Sequence, residues 1–304
     1  MSNKLKPYIV LHAGIFLVSF TGILGKAISL REGILVWYRL FLCVVILSIF
    51  GYIFKKFEPL RKEDKKKAFI IGALFCIHWL LWYSSVKFAN TSIAMSTIST
   101  VAVFNALVEP FINKRPFKLS ELLLGAIASI GMILIFQAKS GSSFGVIAGI
   151  VSALVVAIAS VMNKNLTEKN NAYSLTLWEF TAALITMSVI MPFYLMFNKE
   201  LFPNEHIALI PTGKDIWLLL VFVVVCTLIP FIMNLYALRH VSSFTSNLSF
   251  NMEPIWGIAA AILIFQEQKE LSVQFFIGLS LILFSVVIFS AVKYKKSLNS
   301  KVAI

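Results

Sequence analysis

The feature that most constrains this chain is its recurring apolar runs, each about 20 residues long, separated by short polar joints. A hydrocarbon layer about 30 Å thick is crossed by about 20 residues of helix at 1.5 Å per residue. Ten windows meet that length: 7–28, 33–54, 68–88, 91–112, 119–137, 144–163, 174–197, 215–238, 243–265 and 271–293. Charged residues make up 13% of the chain, about half of what a soluble protein carries. An all-α membrane protein with ten transmembrane helices is therefore expected. The lysines before the first window resemble the start of a signal peptide, but that window is too long and no small-residue cleavage site follows, so it reads as a helix.

Charge sets the expected orientation. Nineteen of the 27 basic residues fall at the termini and in the joints at 55–67, 113–118, 164–173 and 239–242, all on one side of a ten-helix path. Five fall on the other side: Arg31, Lys139, Lys199, Lys214 and Lys269. The positive-inside rule puts both termini in the cytoplasm, and ten crossings of an inner membrane also require both ends on one side. A basic stretch such as 62–67 is read as loop orientation and not as a nucleic-acid site. The net charge of +13 needs no polyanionic partner.

The two halves of the chain match weakly. Tyr83 aligns with Tyr236, Lys87 with His240, Gly125 with Gly278, and Lys26 with Lys164. Five helices is an odd number, so two such units cross the membrane in opposite directions. That is the inverted-repeat plan of many secondary transporters. The expected division is a first five-helix repeat at 1–140, a second at 141–293 and a basic cytoplasmic tail at 294–304.

Certain segments carry a family resemblance: Gly22-Ile23-Leu24-Gly25-Lys26, Trp37-Tyr38-Arg39, the tight joint from Tyr83 to Thr91, Glu253-Pro254, and Phe265-Gln266-Glu267. In these the chain resembles the EamA-type members of the drug/metabolite transporter superfamily. Val18-Ser19 stands where that family usually has Trp-Gly, and Lys114 where it usually has Glu after the fourth helix. The resemblance implies alternating-access transport of small metabolites, with export of amino acids or related amphipathic compounds foremost. A nucleotide-sugar or sugar-phosphate exchanger is the alternative within the superfamily. That alternative needs basic groups along the cavity, and only Arg39, Lys26 and Lys87 are available.

Ionisable residues at membrane depth are costly and mark a bundle interior or a watery cavity. Glu253 lies near the centre of the ninth window. With Ser242, Ser246, Ser249 and Trp256 it shares one helical face. It is read either as the partner of a proton, coupling ion or amine, or as a structural hydrogen-bond acceptor. Asn247 and Asn251 share another face of that window, for substrate or for helix contact. His12, Ser19, Gly22 and Lys26 form a similar stripe in the first window. Arg39 and Glu179 occupy corresponding places in the two repeats, as gating groups or as anchors. His78 and Trp82 share a deeper face of the third window beside Tyr83 and Trp79. The run Gly141, Gly145, Gly149, Ala153 and Ala157 reads as a close-packing seam.

No cofactor or metal is expected, since Cys43, Cys76 and Cys226 are unpaired in spacing and sit in apolar windows. An intramembrane enzyme is the alternative of another class. Its one motif, Gly141-Ser142-Ser143-Phe144-Gly145, joins two helices where the G-x-S-x-G turn joins a strand to a helix. The partners expected are a small-molecule substrate and the lipid bilayer.

Overall fold

A computed structural model describes residues 5–98, 100–114, 116–117, 123, 127, 130–131, 134, 143–201, 208–241, 246, 249–250, 252–266 and 272–302. The described residues are helical apart from short joints, with no strand among them. The helices are α1 (Lys6–Val18), α2 (Thr21–Ala27), α3 (Glu32–Phe54), α4 (Lys62–Phe88), α5 (Thr91–Ile98) and α6 (Val101–Ile112). They continue with α7 (Ser143–Thr167), α8 (Ala172–Leu201), α9 (Gly213–Val223), α10 (Ile229–Leu238), α11 (Glu253–Phe265) and α12 (Val273–Val302). Seven apolar stretches among them are long enough to cross a membrane, and shorter apolar helices cover 255–264 and 273–285. The fifth expected window, 119–137, lies almost wholly outside the described residues.

The outer surface agrees with a lipid solvent. Tyr52 is 86% exposed, Leu263 82% and Trp217 73%, a density of bare apolar side chains that a water-soluble monomer does not carry. The protein is a multi-pass membrane protein.

Several spans are interrupted where hydroxyl side chains capture helix carbonyls. In the first, Ser19 Oγ donates to the Phe16 carbonyl and Thr21 Oγ1 to the Val18 carbonyl, each at 2.7 Å, and the ladder breaks between α1 and α2. In the fourth, Thr97 Oγ1 bonds the Ala94 carbonyl and Thr100 Oγ1 the Thr97 carbonyl, between α5 and α6. Such local bonds compete with the helix ladder while satisfying the groups that they free. A third interruption precedes Glu253, where the Met252 amide bonds the Ser249 carbonyl three residues back. The Thr100 amide does the same with the Thr97 carbonyl. Between α9 and α10, Val224–Leu228 form a π turn. Pro230 has no N–H to give the Cys226 carbonyl, and the ladder widens just ahead of it.

Packing joins the two halves of the chain throughout. α4 lies against α7 and α8, α3 against α8, α1 against α10, α6 against α7, and α5 against α11. Glycines permit the closest approaches. A Cβ on Gly72 would meet the Glu179 backbone and Ala182, and one on Gly149 would meet Ser85 Oγ at 2.8 Å and the Cβ of Thr97 at 2.9 Å. Gly145, Gly149, Ala153 and Ala157 are all buried, so the expected seam is present over its described length. Gly149→Leu should cost more than the roughly 1–3 kcal/mol typical of overpacking, because it forces α7 off both α4 and α5. Folded yield and melting temperature in detergent measure this, and a wild-type melting curve would remove the seam from the architecture.

Candidate substrate-binding cavity

A cavity of ≈ 140 Å³ lies between the two halves. Its walls come from α1–α4, both sides of the α5–α6 break, α7, the π turn, α10 and the segment around Glu253. All four interruptions therefore border it, in keeping with broken backbone being tolerated at membrane depth where it lines a cavity.

Arg39 is its fixed cation. Leu35, Arg39, Cys43 and Leu47 recur every fourth residue on the buried stripe of α3, so the helix that supports the core also carries the charge inward. The guanidinium is 4% exposed. Its carbon lies 4.3 Å from the Trp79 ring centroid, 5.1 Å from that of Phe222 and 5.8 Å from that of Tyr83. Arg39 Nη1 donates to the Tyr83 hydroxyl at 3.1 Å. Its Nε finds no acceptor among the described residues. Three aromatic faces stabilise the cation without consuming its donors.

Glu253 lines the same cavity at 7% exposure. Among the described residues no hydrogen bond reaches its carboxylate, while Arg39 acts on it electrostatically. One cation and one carboxylate thus face a shared space in a low-dielectric interior, where neither is paired off by a close contact. Trp82 also lines it, with its buried Nε1 without a partner among the described residues. His78 is tied to α7, its Nδ1 lying 2.7 Å from Ser152 Oγ, and it borders the cavity from that anchored position.

The other expected site residues are distributed differently. Tyr83 is on the wall. Glu179 is not: it is fully buried behind Asn163, which lines the cavity and donates through Nδ2 to Glu179 Oε2 at 3.2 Å. Glu179 Oε1 and Asn163 Oδ1 are left without partners among the described residues. Trp256 is a correction. It is 44% exposed on the outer surface, packed edge-on to Phe16 at 5.4 Å. Three residues fall about 60° short of a full helical turn, enough to carry the large ring off Glu253's face. Ser249 is half-buried and does not line the cavity. Asn247 and Asn251 lie outside the described residues.

The first-window stripe is divided by the break at Ser19, and His12 is exposed. Lys26 and Lys87 do not line the cavity, and Lys87 Nζ caps the Ile28 carbonyl at 2.9 Å. Thr21, Ser160, Asn163, Thr227 and Asn234 are polar wall residues that periodicity did not single out. The signal available for Asn163 and Asn234 was an amide inside an otherwise apolar run.

A polytopic helical bundle with a charged, aromatic-walled cavity between its halves is the architecture of a membrane transporter. The sequence pattern of the EamA-like transporter family matches residues 5–137 and again 143–291, and the chain belongs to that family, within the drug/metabolite transporter superfamily. No curated protein matches the sequence. Among 28 matching chains of solved structures, one titled only as the crystal structure of a protein aligns with a TM-score of 0.67 at 12% identity. It covers 96% of this chain and 99% of that one, a likeness of fold over the whole length.

Proposed function

We propose that this protein is a secondary transporter moving a small zwitterion, an amino acid or a related amphipathic compound, by alternating access. The observation that carries the reading is the presence of Arg39 and Glu253 on one aromatic-walled cavity, with Arg39 Nε and Trp82 Nε1 left as open donors among the described residues. A substrate carboxylate suits the guanidinium and a substrate ammonium suits Glu253, so each buried charge gains a partner only when both are met. A sugar phosphate or nucleotide sugar is disfavoured. Its charge calls for several cations, whereas Lys26 and Lys87 are off the cavity wall. Uptake into proteoliposomes, competed by amino acids and by their methyl esters and N-acetyl derivatives, tests this. Zwitterions compete and both blocked forms fail; competition that ignores either charge overturns the reading.

The same reading takes the architecture as ten helices in two inverted repeats, at 1–140 and 141–293. In its support, exchanging the first span with the sixth, the second with the seventh, and so on maps observed packing pairs onto observed packing pairs. α1 on α10 becomes α7 on α4, and α8 on α4 becomes α3 on α9. The interruptions at Thr100 and Met252 correspond under that exchange, and paired broken helices are what midplane sites of inverted-repeat transporters use. Both termini are taken as cytoplasmic in a cell membrane, on the charge bias. Arg61→Cys should then resist a membrane-impermeant maleimide in whole cells and react after permeabilisation. Ready labelling of intact cells would reverse the orientation.

A further inference from the structure

The chain has two aspartates, Asp64 and Asp215, and the structure gives them equivalent positions. Asp64 is the third residue of α4, and Asp215 is the third residue of α9. Each reaches into the other half of the chain, to the short loop ahead of that half's next long helix. Asp215 meets Ser29, just before α3, and Asp64 meets Asn170, just before α8. The two contacts lie at opposite ends of α4. Lys87 near its C-terminus holds the Ile28 carbonyl beside Ser29, and 23 residues of helix, about 35 Å, separate Lys87 from Asp64. Both carboxylates are buried, at 2% and 7% exposure.

We propose that Asp215 and Asp64 are reciprocal latches of the transport cycle, each holding one face of the protein shut in one of its two states. The proposal rests on the alternating-access reading. In this structure the Asp215 face is latched. Its carboxylate accepts from the Ser29 amide at 2.9 Å and the Ser29 hydroxyl at 2.5 Å, as well as from the Thr212 amide and hydroxyl. On the same face Tyr194 donates to Glu32 at 2.9 Å, and the Tyr83 ring abuts Gly25 over the cavity. Asp64 itself is held lightly, although Asn171 Nδ2 donates to Glu58 Oε1 at 2.9 Å and the Glu58 backbone amide to Ser174 Oγ at 2.8 Å across the same face. Among the described residues Asp64 accepts a single hydrogen bond, from the Asn170 side-chain Nδ2 at 3.2 Å, and the cavity extends towards that face as far as Asn163 and Leu238.

The two kinds of bond on Asp215 have different fates. The capping box with Thr212 lies within one helix end and survives any movement of the halves. The Ser29 bonds run between halves and break when that face opens. Arg239 already fixes the backbone of the Asn170 loop, bonding the Thr167 and Asn170 carbonyls, so the reciprocal donor site for the other state is in place. Hydrogen bonds to a charged group are of the strong kind, and losing one shifts a two-state ratio by about tenfold or more.

The test uses the full chain in nanodiscs without substrate, its native cysteines replaced by alanine. Spin-label pairs at Ala27 and Lys214 and at Lys66 and Lys169 report the two faces by pulsed dipolar distances. Asp215→Asn should raise the ratio of long to short 27–214 distances at least tenfold and shorten the 66–169 distances. Ser29→Ala, which leaves the capping box intact, should act in the same direction. Asp64→Asn should shift the two the opposite way, lengthening the 66–169 distances and lowering the ratio of long to short 27–214 distances. Distances that stay fixed, or that move together in all variants, overturn the latches. No substrate is required, so opposed shifts in a protein that moves nothing would retain the latches and reject the transport reading.

Discussion

Arg39→Gln should weaken binding of a carboxylate-bearing substrate by on the order of 2–5 kcal/mol, roughly thirtyfold or more, the range for removing one member of a buried charged pair. Arg39 is held by Trp79, Phe222 and the Tyr83 hydroxyl, so its place is fixed before any ligand arrives and little ordering is left for binding to drive. Arg39→Lys should not rescue. An ammonium lacks the planar fork that lies on the rings while presenting Nε to the cavity. The diagnostic readout is discrimination, because misfolding also lowers uptake. Wild-type protein should prefer the free acid to its methyl ester, and both Arg39 variants should bind the two alike. Variants that keep the preference would mean that the carboxylate is recognised elsewhere.

What the sequence made legible follows from the scale of each signal. A span needs about 20 apolar residues, and an error of a few residues leaves it recognisable, so the bundle and its family could be read directly. Arg39, His78 and Glu253 were legible because an ionisable group at membrane depth is expensive wherever it stands, and Trp82 and Tyr83 because they stand beside His78 on the same helix. The breaks were not. At Ser19 and Thr100 no glycine or proline marks the interruption; it depends on hydroxyls choosing a carbonyl over solvent, which composition does not reveal. Those breaks changed helical phase, and with it the face-sharing arguments. The stripe through His12 and Lys26 is divided at Ser19, while Trp256 faces outward because three residues fall short of a full helical turn. Glu179 is fully buried, and only the fold puts Asn163 between it and the cavity. Asp64 and Asp215 looked like ordinary loop-edge residues because their partners lie 106 and 186 positions away.

The second large effect belongs to Glu253, the only carboxylate among the described residues on the cavity wall. Glu253→Gln keeps shape and hydrogen-bonding capacity and removes the negative charge, so the fold should survive. α11 begins at this residue, and a neutral amide there loses only the modest attraction of an anion for a helix N-terminus, about 0.3–1 kcal/mol. Two roles then give different signatures. If Glu253 pairs with a substrate ammonium, affinity should fall by on the order of 2–5 kcal/mol for zwitterions under every condition, while N-acetyl analogues bind the variant as well as the wild type. If it carries a coupling proton, uptake driven by a pH gradient should collapse, while exchange of labelled for unlabelled substrate persists, since exchange returns the protein through the loaded state alone. The cavity favours the first outcome, because Arg39 already supplies the countercharge for the other end of a zwitterion. Wild-type uptake with an unaltered pH profile would reduce Glu253 to a structural group, and the substrate's amine would then have to be recognised by the uncharged wall residues Asn163, Ser160 and Asn234.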